Sequence, residues 1–101
     1  MKDECQESNL AAFFEAVLTL QTSEECYAFF KDLCTYQELN AISQRLQVAK
    51  LLHAGTVFHK ITDQTGVSAT TISRVNRTIK DGMGGYQLIF DRICDTKGEK
   101  K

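Results

Sequence analysis

Arg74 and Arg77 lie in the stretch Ala69-Thr70-Thr71-Ile72-Ser73-Arg74-Val75-Asn76-Arg77, and either guanidinium can donate a bidentate pair to O6 and N7 of a guanine. The hydroxyls of Thr70 and Ser73 can bond base edges, and the methyl groups of Ala69 and Thr70 can meet the methyl of thymine. Lys60 and Lys80 flank the stretch and suit backbone phosphates, while Ser68 and Thr71 at its head complete the candidate DNA-facing set. A plain helical hairpin would also carry polar residues outside. It would not need a turn residue, a buried edge and a basic outer face in combination.

Other chemistries find little support. Cys5, Cys26, Cys34 and Cys94 form no Cys-x-x-Cys pair and no metal-ligand spacing with His53 or His59, so neither a metal nor a cofactor is expected. Cys26 and Cys34 fall in step with Phe29, Phe30 and Leu33 and read as small buried hydrophobes, with all four thiols reduced. The two histidines are six residues apart and lie on different faces of a helix or across its end, and no Ser/His/Asp set has local support. Glu24-Glu25 is better explained as favourable charge at a helix N-terminus than as acid–base machinery. The chain does not read as an enzyme.

The elements that must position these residues are helices. Helical periodicity runs throughout, no strand alternation occurs, and there is no proline, which makes the fold class all-α. Leu10, Phe13, Phe14, Val17 and Leu18 form a first stripe, with Ser8 or Asn9 placed to cap it. Thr22 with Glu25 and Thr35 with Glu38 are capping boxes that open two further helices. The helix from about Tyr36 to Ala54 carries the stripe Leu39, Ile42, Leu46, Ala49, widened by Val48, Leu51 and Leu52, and Gly55 stops it. Thr65-Gly66-Val67-Ser68 then forms a tight turn between two short helices, a helix-turn-helix over about 57–80. Gly66 supplies a positive φ, Val67 plugs inward against Ile61, and Ser68 caps the second helix, whose buried edge is Ile72, Val75 and Ile79. After Asp81-Gly82-Met83-Gly84-Gly85, a final helix from Tyr86 to Cys94 offers Leu88, Ile89 and Ile93 to the core. Residues 1–95 are thus read as one helical domain and 96–101 as a disordered tail.

Size and composition agree with that organisation. A chain of 101 residues, 43% hydrophobic and 25% charged, fits one soluble globular domain. No apolar run is long enough to span a bilayer and the first residues lack the order of a secretory signal, so a cytoplasmic protein without a membrane partner is expected. Net charge is −1 but lopsided: residues 1–40 carry eight acids against Lys2 and Lys31, whereas Asp63 is the only acid between Phe58 and Lys80. The positive field is therefore concentrated around the helix-turn-helix. The apolar width of the third helix and the aromatic-rich N-terminal half suggest that a second chain covers part of this surface. The alternative reading is a helical protein-interaction module without DNA binding, whose acidic N-terminal half meets a basic partner.

Four segments make the chain resemble the tryptophan repressor superfamily, nearest to its YerC/YecD-type branch. They are Ser-Glu-Glu-Cys-Tyr-Ala-Phe-Phe-Lys-Asp-Leu-Cys-Thr, Gln-Arg-Leu-Gln-Val-Ala-Lys-Leu-Leu, Thr-Ile-Ser-Arg-Val-Asn-Arg and Gly-Gly-Tyr, matching in order and spacing. The resemblance implies a six-helix Trp-repressor-like fold and an intertwined homodimer. It also implies a sequence-specific transcriptional regulator, by family a repressor, that reads a palindromic operator in double-stranded DNA. It further implies a ligand pocket, because Thr35, Arg45 and Arg74 resemble the threonine and two arginines that hold L-tryptophan in sensing members. Val75 stands where those members keep a glycine, so the pocket reads as vestigial and L-tryptophan is not expected as corepressor. Arg45 is then free to pair with a surface carboxylate and Arg74 with phosphate.

Overall fold

Local sequence signals open and close the helices of the computed structural model, which describes residues 2–100 and, over 7–93, their side chains as well. Six helices follow in order: α1 (Lys2–Leu18), α2 (Ser23–Leu33), α3 (Tyr36–His53), α4 (Phe58–Thr65), α5 (Ala69–Asp81) and α6 (Gly85–Lys100). No strand occurs among the described residues. The chain divides inside α3, after Leu39, into two compact units.

In the N-terminal unit, Thr22 takes an extended backbone and its hydroxyl accepts from the Glu25 N–H at 3.1 Å. The Glu25 carboxylate reaches one residue further back than a standard capping box, accepting from the Gln21 N–H at 2.8 Å. The second box closes fully: Glu38 N–H donates to the Thr35 hydroxyl at 3.0 Å, and Thr35 N–H to the Glu38 carboxylate at 2.8 Å. Phe13 of α1 meets both Phe29 and Phe30 of α2, at centroid distances of 6.3 and 6.2 Å, one stacked and one edge-on. Those rings remain half-buried, and no described residue of α1 or α2 is fully buried in the chain.

Two expectations for this unit need correction. α1 starts at Lys2, so Ser8 and Asn9 are interior helical residues rather than caps. The absence of proline and glycine before Leu10 lets the helical backbone continue past both. Cys26, expected as a buried hydrophobe, is exposed, and Cys34 is half-buried at the C-cap of α2; both are free thiols. The side chains of Cys5 and Cys94 lie outside the described residues.

The C-terminal unit holds the core. Val48 and Ala49 of α3, Ile61 of α4, Val67 of the turn, Ile72 and Val75 of α5 and Phe90 of α6 form one buried cluster, flanked by Leu46, Leu51, Leu52, Ile79 and Tyr86. α3 ends in a Schellman arrangement, with Thr56 N–H donating to Leu51 O and Gly55 N–H to Leu52 O, both at 3.0 Å, and Gly55 at φ +86°. α6 begins at Gly85 and runs to Lys100, beyond the end expected near Cys94; Lys101 and the side chains from Cys94 onward lie outside the described residues. Among its described residues the buried one is Phe90, 3% exposed, whereas Leu88 and Ile89, both expected in the core, are 48% and 41% exposed. The reason is the i, i+4 pairing of Tyr86 with Phe90, whose rings stack and place the Phe90 ring against His53 at 4.5 Å.

Candidate nucleic-acid interface

The turn between α4 and α5 is built from its own side chains. The Thr65 hydroxyl donates to Ile61 O at 2.7 Å and accepts from the Val67 N–H at 3.1 Å, bridging the end of α4 to the bend. Gly66 sits at φ +77°, ψ +4°, a left-handed conformation that costs an L side chain roughly 1–2 kcal/mol, and its N–H bonds Thr62 O at 2.8 Å. Val67 is buried beneath the turn, in the same cluster as Ile61. Ser68 then caps α5, its hydroxyl accepting from the Thr71 N–H and donating to the Thr71 hydroxyl, both at 3.3 Å.

That geometry sorts the sequence-derived candidates. Ala69, Thr70, Ser73, Arg74, Arg77 and Lys80 are exposed on α5, and Lys60 is exposed on α4. Thr71 is half-buried and engaged with Ser68, which makes these two hydroxyls organisers of the helix start. At about 100° per residue, Ile72, Val75 and Ile79 form the inward seam, and Thr70 and Arg77 stand opposite it. Thr71, Arg74 and Thr78 form one flank between these faces, while Ala69, Asn76 and Lys80 form the other.

The first flank borders a cleft of about 570 Å³ whose other walls are Ala41, Gln44 and Arg45 of α3 and Tyr86 of α6, with Val67, Ser68 and Val75 completing the lining. Arg45, Arg74 and Val75, three of the four positions singled out as a vestigial ligand pocket, therefore share one cavity. Thr35 belongs to the N-terminal unit, where it is occupied in the capping box of α3. Val75 is 4% exposed, filling the cleft's inner side without closing the cavity. The expected pairing of Arg45 with a carboxylate is not found among the described residues, and no Asp or Glu lines the cleft. Gln44, Thr78 and Tyr86 were missed in the sequence. Thr78 was traceable, four residues from Arg74 on the same helix face, whereas Gln44 and Tyr86 enter only through packing.

Among the described residues no group of His, Cys, Asp and Glu is arranged to hold a metal ion, and no helix is long and apolar enough to cross a membrane.

The comparisons with known proteins agree with this architecture. The chain is 42% identical over 97 residues to the uncharacterized protein YerC of Bacillus subtilis (strain 168), an alignment covering 96% of this chain and 93% of that protein. Its fold is similar to the crystal structure of a TrpR-like protein from Eubacterium eligens ATCC 27750, with a TM-score of 0.83 and 41% identity, covering 85% of this chain and 89% of the other. A proposed Trp repressor from Staphylococcus aureus gives a TM-score of 0.82 and 46% identity, covering 85% of this chain and 86% of that one. With the Trp repressor protein model matching residues 8–94, the all-α, helix-turn-helix chain belongs to the Trp repressor family, in its YerC-type branch, a membership that points to a DNA-binding regulator.

Proposed function

We propose that the chain is a sequence-specific regulator, a repressor by family, that binds a palindromic operator in double-stranded DNA as a homodimer and without L-tryptophan. The observation that carries this reading is the outward face of α5. Thr70 and Arg77 are exposed opposite a seam that Ile72 and Val75 bury, with Ser73 and Arg74 exposed on either side of them, on a helix held by a hydrogen-bonded turn. A helix so presented can enter a major groove, with Lys60 and Lys80 on phosphates.

Selecting bound sequences from random duplexes tests the reading, and the recovered site should be a palindrome. Binding should weaken steeply with salt, at a log–log slope of about −0.9 per neutralised phosphate. A flat response would favour a protein partner instead. Within the selected site, Arg77→Ala should cost about 1–3 kcal/mol and relax preference at one base position, whereas Lys80→Ala should weaken all sequences about equally. Equal loss on specific and random duplexes for Arg77→Ala would reduce that residue to a phosphate contact.

The homodimer is supported by apolar surface that the chain leaves uncovered. Leu10, Phe14, Leu18, Tyr27 and Leu33 are all exposed in α1 and α2, an unfavourable arrangement in water unless another surface buries it. Sedimentation should find a dimer at micromolar concentration, and a monomer there would defeat the proposal. Two-fold symmetry would place the reading helices in successive major grooves, about 34 Å apart.

A further inference from the structure

We infer that the cleft between α3 and α5 is a second DNA contact, in which Arg45 neutralises a backbone phosphate of its own, beside the one met by Arg74, at the edge of the major groove. This rests on the reading that α5 enters that groove. A helix lying there presents its outer face to bases and its flanks to the two sugar–phosphate strands. The flank made by Thr71, Arg74 and Thr78 opens directly onto Gln44 and Arg45 of α3. One strand would therefore run along the cleft, with α3 on its far side.

Charge in the cleft favours an oxyanion. Two guanidiniums share the lining with the hydroxyls of Ser68, Thr71 and Thr78, and no carboxylate offsets them. Arg45 is exposed and has no acidic partner among the described residues, so its donors are available to an incoming anion. Buried Val75 makes the inner side of the cleft apolar, which leaves the charged mouth as the place for the anion. Arginine suits a phosphate there because its planar fork can donate two bonds to two phosphate oxygens. A soluble anion could satisfy the same chemistry, and the experiment separates the two sources.

The test measures binding of the full-length protein, Arg45→Gln and Arg45→Lys to the selected duplex and to a scrambled duplex across a series of chloride concentrations. Thermal unfolding first establishes that the variants fold alike. Arg45→Gln should bind both duplexes about tenfold more weakly at low salt and flatten the log–log salt slope by about 0.9 per protomer, and Arg45→Lys should restore the slope. An unchanged slope in Arg45→Gln, with the unmodified protein binding normally, overturns the inference and leaves the proposed function standing. A loss that appears only when inorganic phosphate is added at constant ionic strength also overturns it, assigning the cleft to a soluble anion. Failure of the unmodified protein to bind any duplex removes the proposed function and this contact together.

Discussion

Ile72→Ala should destabilise the protein by about 2–5 kcal/mol, the range for truncating a large aliphatic side chain in a core that relaxes only partly. Ile72 is wholly buried, and its neighbours in the cluster come from every helix of the C-terminal unit. The helix that carries it has little stability of its own. Thr70, Thr71, Ser73, Val75, Asn76 and Thr78 are mediocre helix formers, each costing about half a kcal/mol relative to alanine. Packing therefore holds α5 in place, and removing its central anchor should fray the outward face as well as lower global stability. Urea unfolding followed by circular dichroism, at one fixed chain concentration, measures the effect. Ser73→Ala, at an exposed position of the same helix, serves as the control and should shift stability by no more than about 0.5 kcal/mol. A midpoint for Ile72→Ala equal to that of the control would mean that α5 is not held by this seam.

Val75→Gly should cost about 2–4 kcal/mol and weaken DNA binding. Losing a buried valine forfeits roughly 1.5–3 kcal/mol of burial, and glycine inside a helix adds about 0.5–1 kcal/mol of backbone entropy. Val75 is buried on the seam and lines the same cleft as Arg45, so its side chain lies where α5 meets the rest of the core. The valine would then act as a built-in wedge that sets the angle of α5 without a small molecule. Operator affinity of the unmodified protein should be the same with and without tryptophan, and calorimetry should detect no binding of the amino acid, because a ligand shifts an equilibrium only through differential affinity. Tightening of the operator complex by millimolar tryptophan would sink the wedge. Unchanged DNA affinity in Val75→Gly would also count against it, by showing that α5 keeps its angle when the side chain is gone.

Much of the architecture was legible because its signals are local. Thr22 and Thr35 open their helices through hydroxyls that reach N–H groups three residues on, and the left-handed positions at Gly55 and Gly66 end α3 and α4. Each device spans no more than six residues, so residue type and spacing are enough to find it. The same holds for the seam of Ile72 and Val75 and for the outward side of Thr70, Ser73 and Arg77, since one helix period decides both.

What the tertiary structure decided is which of several apolar or polar faces meets a neighbour. Leu88, Ile89 and Phe90 are adjacent and equally apolar, yet only Phe90 is buried, because the rings of His53 and Tyr86 stack on it. Cys26 keeps step with Phe29 and Phe30 and is nevertheless exposed, because periodicity marks an apolar face without supplying the neighbour that covers it. Arg45 and Arg74 belong to helices separated by the whole of α4, and no periodicity connects them. Their shared cleft exists because Val48 and Ala49 of α3 pack into the same core as Ile72 and Val75, which turns one flank of α5 toward Gln44 and Arg45. Local propensity specifies where a helix starts and which side is apolar; burial of non-local surface selects the neighbour, and with it the chemistry assembled between them.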